Sequence, residues 1–116
     1  MNNHRISHKV VEFILTRKLG ELSTLTSEEI SAALNLDPVE MTHVFEADQR
    51  IPLDRFILRE KLYRALSLID KKPGISIEEL AKKMGFLQTG EFTREFKTLF
   101  LIDPDRYKEL VLQNTK

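Results

Sequence analysis

A segment of this chain occurs twice, and the internal repeat restricts the fold more than any other feature. Residues 26–36 (TSEEISAALNL) align with residues 76–86 (SIEELAKKMGF) at a spacing of 50, and residues 41–45 align with residues 92–96 at a spacing of 51. The one-residue difference lies in the turn between the aligned segments, where an insertion is tolerated. Because two copies are too few for a solenoid, the repeat predicts two related supersecondary units.

Each copy has the pattern of a short helix, a turn and a second helix. TSEE at 26–29 and SIEE at 76–79 have the spacing of a capping box, in which the hydroxyl accepts from the third amide and the glutamate reaches back. Asn35 and Gly85 follow the apolar residues of the first helix, and both residue types tolerate a left-handed backbone. The layout predicts two helix-turn-helix units; two similar hairpins of a generic helical bundle are the alternative.

Small and aromatic residues are placed to form the interior of these units. Ser31 and Ala81 precede the turn residues by four, where a small side chain allows two helices to approach closely. Three phenylalanines of the second copy lie at helical spacing, and such a stripe is far more often packing than a surface for base stacking. We therefore expect the interior to contain Phe92, Phe96 and Phe100, together with Phe86 just after the turn.

Apolar spacing and capping residues predict further helices around the two copies. A first helix is expected over residues 4–19 with Gly20 ending it, and Asp37-Pro38 and Asp103-Pro104 each begin a helix. The longest helix is expected over residues 53–70 and would span roughly 27 Å. Its apolar stripe consists of Leu53, Phe56, Ile57, Leu62, Ala65, Leu66 and Ile69. The predicted fold is all-α with about seven helices: a first helix-turn-helix unit at about 10–50, a linker helix at 53–70 and a second unit at about 75–112.

The composition suits a helical chain and excludes several kinds of chemistry. Of the 116 residues, 41% are hydrophobic and 31% are charged, as expected for one domain with a core and a well-solvated surface. The absence of cysteine excludes disulfides, thiolate catalysis and cysteine-based zinc sites. The net charge is zero, but residues 1–50 hold five Lys/Arg and eight Asp/Glu (−3), whereas residues 51–116 hold 13 and 10 (+3). The basic charge therefore lies in the half with the second copy.

Sequence motifs of enzymes, cofactor sites and membrane proteins are not found in the chain. There is no phosphate-binding loop, no paired histidine–glutamate metal motif and no nucleophile elbow, so we expect neither an enzyme nor a cofactor. His4 and His8 are four residues apart, but no third ligand is near in sequence, and two solvated histidines are the preferred interpretation over a metal site. No apolar run approaches the ~20 residues that span a membrane, and the first residues lack a signal-peptide pattern, so we expect a cytoplasmic protein with no membrane partner.

The second copy and the residues after it carry a more specific pattern. It consists of Gly85, Phe86, Phe92, Thr93, Arg94, Phe96, Lys97, Phe100, Ile102, Pro104 and Tyr107, with Leu62 and Ala65 in the long helix and Pro38, Met41 and Phe45 before it. These residues resemble the signature of the AraC/XylS-type transcription regulators, and the similarity extends over roughly residues 10–110. The part from Gly85 to Tyr107 is specific, and the first copy matches less closely.

The resemblance implies a single DNA-binding domain over residues 1–116, with seven helices in two helix-turn-helix subdomains joined by a central helix. It implies sequence-specific binding of double-stranded DNA by the output domain of a bacterial transcription regulator, with both recognition helices in successive major grooves. A central helix of roughly 27 Å is compatible with one DNA turn of ~34 Å. The implied partners are promoter or operator DNA and RNA polymerase, and members of the family commonly attach a sensing or receiver domain to this module.

The chain departs from the family pattern in two places. Arg50 and Leu101 stand where the family usually has glycine after each recognition helix, and a left-handed backbone there would cost on the order of 1 kcal/mol. We therefore expect the backbone at these two helix ends to differ from that of the family. The first recognition helix is also acidic, with Asp37, Glu40, Glu46 and Asp48 against Arg50 alone. Since carboxylates repel phosphates, the first unit is expected to bind DNA weakly, and a protein-interaction module that keeps the fold with weak or no DNA binding is the alternative function.

Residues that contact DNA should be polar, exposed and near the start of a recognition helix. In the second unit the candidates for base contact are Gln88, Thr89, Glu91 and Arg94, with Gly90 allowing close approach, and the candidates for phosphate contact are Thr93 and Lys97. In the first unit Val39, Thr42 and His43 occupy the matching positions.

Three of these residues have specific expected roles. Arg94 matches a contact position of the family, and its guanidinium can donate to guanine O6 and N7 or hold a phosphate. Glu91 can accept from cytosine N4, and Val39 can meet a thymine methyl group. A surface ion pair of Arg94 with Glu91 or Glu95 is the alternative.

Overall fold

Eight α-helices account for the regular structure of the protein in a computed structural model, which describes residues 3–114. They are α1 (Asn3–Leu15), α2 (Leu19–Leu22), α3 (Ser27–Leu34), α4 (Pro38–Gln49), α5 (Leu53–Lys71), α6 (Ile77–Lys83), α7 (Thr89–Phe100) and α8 (Pro104–Asn114). The all-α prediction is confirmed, and the described residues contain no strand. The chain forms two compact units whose boundary falls within α5, between Glu60 and Lys61.

The additional helix arises because the first predicted helix is interrupted. It was expected to continue to residue 19, but α1 ends at Leu15. The Thr16 hydroxyl donates to the carbonyl of Glu12 (2.8 Å), and Arg17 Nε donates to the carbonyl of Phe13 (3.0 Å). These side chains satisfy carbonyls that the end of a helix would otherwise leave without a partner. The prediction was wrong because apolar spacing continues past these residues and conceals the break.

A short second helix follows this break. Lys18 has an extended backbone (φ −70°, ψ 155°), and its N–H donates to the carboxylate of Glu21 at 3.1 Å. Glu21 therefore caps the start of α2 from within the helix. Gly20, which was expected to end the first helix, lies inside α2.

The first unit has a core formed by α1, the helix-turn-helix and the start of α5. Its buried members are Val10, Ile14, Leu22, Leu25, Ile30, Met41, Phe45, Leu53, Phe56 and Ile57. The rings of Phe45 and Phe56 meet edge to face with centroids 5.3 Å apart. The apolar side of α1 is thereby buried against the first copy of the repeat. This packing holds α3 and α4 together as one body.

The second unit has a core that is rich in aromatic rings. Its buried apolar residues are Leu62, Ala65, Ile69, Ile75, Ile77, Leu80, Ala81, Met84, Phe92 and Phe96. Phe92 and Phe96 are fully buried as predicted, but Phe86 and Phe100 are only half-buried. Both half-buried rings lie at the margin of the core. The ring centroids of Phe86 and Phe92 are 5.4 Å apart, and those of Phe100 and Phe96 are 4.7 Å apart. Helical spacing predicted their side correctly but not the extent of the core.

The predicted apolar stripe of the long helix is confirmed with one exception. Six of its seven residues are buried, and Leu66 is half-buried. Near the end of α5, the Tyr107 hydroxyl of α8 donates to the Asp70 carboxylate at 2.6 Å. This bond raises the pKa of Tyr107 to about 12, because ionising the phenol would remove the donated proton and place a second negative charge beside Asp70. The bond holds the start of α8 against α5.

Candidate nucleic-acid interface

The two helix-turn-helix units are capped in the same way at the start of their first helices. Thr26 accepts from the N–H of Glu29 at 3.2 Å, and Ser76 accepts from the N–H of Glu79 at 3.1 Å. These predicted bonds are confirmed. In the first unit the Glu29 carboxylate reaches back to the Thr26 hydroxyl, which donates to it at 3.1 Å. The expected partner in a capping box is the backbone amide instead.

The turns of the two units repeat the same backbone hydrogen bond. The N–H of Leu36 donates to the carbonyl of Ser31 at 2.9 Å, and 50 residues later the N–H of Phe86 donates to the carbonyl of Ala81 at 3.0 Å. This bond between residues five apart is the Schellman arrangement of a helix end. It confirms that the sequence repeat is a structural repeat at its turn.

Residue types at each turn explain why this arrangement forms. Asn35 and Gly85 have positive φ angles of 56° and 88°, which these residue types adopt at low cost. Ser31 and Ala81 are both buried, as the requirement for a small side chain predicted. The turn therefore brings the second helix of each unit close to the first.

The second helices of the two units, α4 and α7, begin differently. Asp37 precedes α4, and its carboxylate accepts from the N–H of Glu40 at 2.9 Å. Gln88 precedes α7 with an extended backbone, but its side chain makes no capping hydrogen bond. A carboxylate therefore already occupies the start of α4, whereas the first amides of α7 have no side-chain cap. Such amides are suited to phosphate.

The ends of α4 and α7 correct the expectation drawn from the missing glycines. Arg50 and Leu101 both adopt the left-handed backbone, with φ of 60° and 61°. Their N–H groups donate to the carbonyls of Glu46 (3.0 Å) and Lys97 (2.8 Å). Both helix ends thus have the left-handed backbone that glycine usually provides, although neither residue is glycine. The prediction was wrong because the cost of about 1 kcal/mol is small enough for the surrounding structure to impose this backbone.

The outer face of α7 presents Arg94 and Glu91, as predicted. Both side chains are exposed, together with Gln88 and Gly90. Within residues 3–114 the Arg94 guanidinium has neither a hydrogen bond nor an ion pair, so the predicted alternative of an ion pair with Glu91 or Glu95 is not formed. A cation without a protein partner on the exposed face of a helix is available to a ligand.

The two residues of α7 that are predicted to contact phosphate already have partners within the protein. Thr93 is half-buried, and its hydroxyl donates to the carbonyl of Thr89 at 3.1 Å. Lys97 is exposed, and its Nζ lies 3.8 Å from the Asp103 carboxylate. An exposed pair at this distance contributes little, so Lys97 can exchange Asp103 for a phosphate at small cost.

The matching residues of α4 meet in one cleft of about 390 Å³. It is lined by Ser27, Glu28, Pro38, Val39, Thr42, His43 and Glu46. Val39 is 79% exposed, which is unusual for an apolar side chain in a helix. The Thr42 hydroxyl donates to the carbonyl of Pro38 at 2.8 Å, the bond that Thr93 forms in the second unit. All three predicted residues of α4 are therefore brought together.

A cleft of the second unit contains an exposed apolar residue that sequence reasoning missed. It has a volume of about 530 Å³ and is lined by Glu78, Glu79, Ala81, Lys82, Phe86, Leu87 and Thr89. Leu87 is 99% exposed and lies directly before α7. Of the predicted base-contacting residues only Thr89 lines this cleft. Leu87 lies between the turn and the start of α7. Its position there was the available sequence signal, but this segment has no apolar periodicity.

The surfaces of the two hairpins carry different charge. Residues 26–50 contain six carboxylates and one arginine, a net charge of −5, whereas residues 76–101 contain four of each sign and are neutral. All six carboxylates of the first hairpin are exposed. A hydrogen bond from Ser7 lowers the pKa of the Asp48 carboxyl, and Gln49 and His4 lower it further. Asp48 is thus bound to α1, and the other five carboxylates face solvent.

The two histidines of α1 lie beside different carboxylates. His4 Nδ1 lies 3.6 Å from Asp48 and His8 Nε2 lies 3.6 Å from Glu12, so the two histidines have separate partners. Among residues 3–114 no group of three or more metal-binding side chains is arranged to hold an ion. None of the described helices has the length and apolar character needed to cross a membrane.

Comparison with known proteins finds that this chain is similar to parts of regulatory proteins. No protein-family model matches the chain. It is 25% identical over 92 residues to the Msm operon regulatory protein of Streptococcus mutans, covering 79% of this chain and 33% of that protein. It is 24% identical over 91 residues to the regulatory protein PocR of Salmonella typhimurium, covering 78% and 30%. The chain thus spans about a third of the length of these curated relatives.

Three solved structures share the arrangement of helices. The C-terminal domain of AraT, a response regulator from Geobacillus stearothermophilus, matches with a TM-score of 0.76 at 21% identity, covering 90% of this chain and 84% of that one. A DNA-binding transcriptional dual regulator from Escherichia coli K-12 matches with a TM-score of 0.78 at 20% identity, covering 93% of both chains. The fold of the present chain is therefore the fold of these regulator domains.

A third structure agrees with the first two. The C-terminal domain of the two-component response regulator yesN from Fusobacterium nucleatum matches with a TM-score of 0.70 at 22% identity, covering 85% of this chain and 93% of that one. The resemblance to AraC/XylS-type regulators that the sequence predicts is confirmed at the level of the fold. All five proteins are described as regulators, and none is described as an enzyme.

Proposed function

We propose that this protein binds double-stranded DNA at specific sequences and serves as the output domain of a transcription regulator. The observation that carries the proposal is the Arg94 guanidinium, exposed on the outer face of α7 without a partner among the described residues. The fold shared with a DNA-binding dual regulator supports it. Promoter or operator DNA is the proposed partner, and RNA polymerase is a further one.

The proposed contacts follow from the chemistry of the α7 face. Arg94 donates two hydrogen bonds to guanine O6 and N7, and Glu91, one turn earlier, accepts from the N4 amine of a cytosine. Gln88 and Thr89 contact base edges or the backbone at the helix start, where the uncapped amides also receive a phosphate. The preferred site should therefore contain a G·C pair opposite Arg94.

Gly90 has a proposed role in allowing close approach of the DNA. A methyl group at this position would meet no atom of the protein within 4 Å. The protein itself therefore has no packing reason to exclude a side chain here. A steric requirement for glycine at this position would come from the ligand.

The proposal extends to a longer regulator. The curated relatives are about three times as long as the matched region, and two similar structures are C-terminal domains of response regulators. We propose that a sensing or receiver domain controls this module in the full regulator.

Selection of bound duplexes from a random pool, followed by anisotropy titration with the selected duplex, tests the proposal. Arg94→Ala should weaken binding by roughly 1–3 kcal/mol and relax the preference at one base pair. Arg106→Ala is the matched control, because Arg106 is also exposed in the second unit but pairs with Glu109 at 2.9 Å. The control should bind within about twofold of wild type. Equal binding by the Arg94 variant would remove Arg94 from the interface.

A protein-interaction module is the second candidate, and the net charge of −5 on the first hairpin favours it. A salt titration separates the two functions. The affinity of a DNA-binding protein falls steeply with salt, with a slope of about −0.9 for each phosphate contact. If no duplex is selected and no salt-dependent binding is seen, the second candidate replaces the first.

A further inference from the structure

We infer that the two helix-turn-helix units contribute unequally: the second unit carries the DNA affinity, and the exposed carboxylates of α4 oppose binding. This inference rests on the proposed function and names which part of the site is active. It concerns the electrostatics of each unit separately.

The first observation is the comparison of residues that occupy the same position in the two recognition helices. At a spacing of 51, His43 corresponds to Arg94 and Glu46 corresponds to Lys97. All four are exposed in their helices. Each cation that α7 offers to a phosphate or a guanine is therefore replaced on α4 by a histidine or a carboxylate.

The second observation is the start of each helix. The Asp37 carboxylate accepts the N–H of Glu40 at 2.9 Å, and so the start of α4 is already neutralised by a negative group of the protein. The start of α7 has no side-chain cap. A phosphate approaching α4 would have to displace Asp37, whereas at α7 it would meet free amides.

The third observation is the lack of compensating positive charge in the first hairpin. Arg50 is its one arginine, and the chain there has already left the helix with φ 60°. Glu28 and Glu46 are exposed and line the cleft that contains Val39 and His43, and Glu40 is a further exposed carboxylate of α4. Bringing this face to DNA would release no counterions and would place like charges within a Debye length of the phosphates.

Two variants of the whole chain, compared with Arg94→Ala on the selected duplex, test the inference. The double variant Glu40→Gln/Glu46→Gln removes two exposed charges and should bind about threefold tighter or more at 50 mM salt. The gain should shrink as salt is raised, because the repulsion is screened. The double variant Val39→Ala/His43→Ala should lose much less affinity than Arg94→Ala, which should lose about 5- to 150-fold.

The outcomes separate this inference from the proposed function. Weaker or unchanged binding of the Glu40→Gln/Glu46→Gln variant would overturn the inference, and so would a loss in the Val39→Ala/His43→Ala variant as large as that of Arg94→Ala. In either case binding of the wild-type chain to the selected duplex would leave the proposed function intact. If wild type selects no duplex, the proposed function itself fails. All substituted side chains are exposed, so circular dichroism should show unchanged folding.

Discussion

Replacing Leu101 by glycine should stabilise the second unit. Leu101 follows the last residue of α7 with φ 61° and ψ 26°, a left-handed backbone in which the Cβ of leucine is strained. Its side chain is 86% exposed, so almost no apolar burial is lost with it. The backbone bond from Leu101 N–H to Lys97, at 2.8 Å, does not depend on the side chain.

The expected gain is the difference between two opposing terms. A left-handed backbone costs a residue other than glycine roughly 1–2 kcal/mol. Glycine loses more backbone entropy on folding, at a cost of roughly 0.5–1 kcal/mol. The free energy of unfolding should therefore rise by about 0.5–1 kcal/mol, equivalent to an increase in Tm of about 2–4 °C for a chain of this size.

Urea denaturation followed by tyrosine fluorescence measures this change in the right part of the chain. The chain has no tryptophan, and its two tyrosines, Tyr63 and Tyr107, both lie in the second unit together with Leu101. Leu87→Gly is the matched control, since Leu87 is 99% exposed but has no positive φ angle to relieve. It should be neutral or destabilising by up to about 1 kcal/mol. Equal stabilisation by both glycines, or a loss in Leu101→Gly, would refute the assignment of strain.

Two further outcomes are expected. In the Tyr63→Phe variant, absorbance at 295 nm should report a Tyr107 pKa of about 12, and Asp70→Asn should lower it towards the usual 10. Because folding raises the pKa of Tyr107, the stabilisation that its bond to Asp70 gives the fold is fully present below pH 10 and is lost between about pH 10 and 12. A Tyr107 pKa unchanged by Asp70→Asn would show that the bond is absent. Gly90→Ala should raise stability by about 0.5 kcal/mol through helix propensity, since nothing lies within 4 Å of the added methyl, yet it should weaken DNA binding; undiminished affinity in anisotropy titrations would exclude close approach of DNA at Gly90.

Local chemistry explains which parts of the fold were predictable. The caps at Thr26, Asp37 and Ser76 and the turn at Gly85 depend on residues within four or five positions of one another, and all were predicted. The break after Leu15 was not, because it depends on which carbonyls the neighbouring side chains select. Apolar spacing contains no information about that choice.

Tertiary context limited the prediction of the site. The sequence placed Arg94 on an exposed helix face, because apolar residues at helical spacing define the opposite face. It did not predict that Lys97 would lie 3.8 Å from Asp103, since that pair depends on how α8 follows α7. The expectation about Leu101 failed for a related reason: residue preference is weak compared with the packing of a whole helix end.

The two hairpins show why a shared fold does not determine what each copy binds. Their turn bonds agree to within 0.1 Å, 2.9 Å from Leu36 to Ser31 and 3.0 Å from Phe86 to Ala81, because small buried residues and turn residues specify the backbone. The outward positions do not affect this backbone, and they have diverged to a charge difference of five between the copies. Likeness to regulators at 20–22% identity therefore establishes the backbone, while DNA recognition has to be argued from exposed groups such as Arg94. By that criterion we propose α7 as the helix that reads DNA, because it presents Arg94 and Lys97 where α4 presents His43 and Glu46.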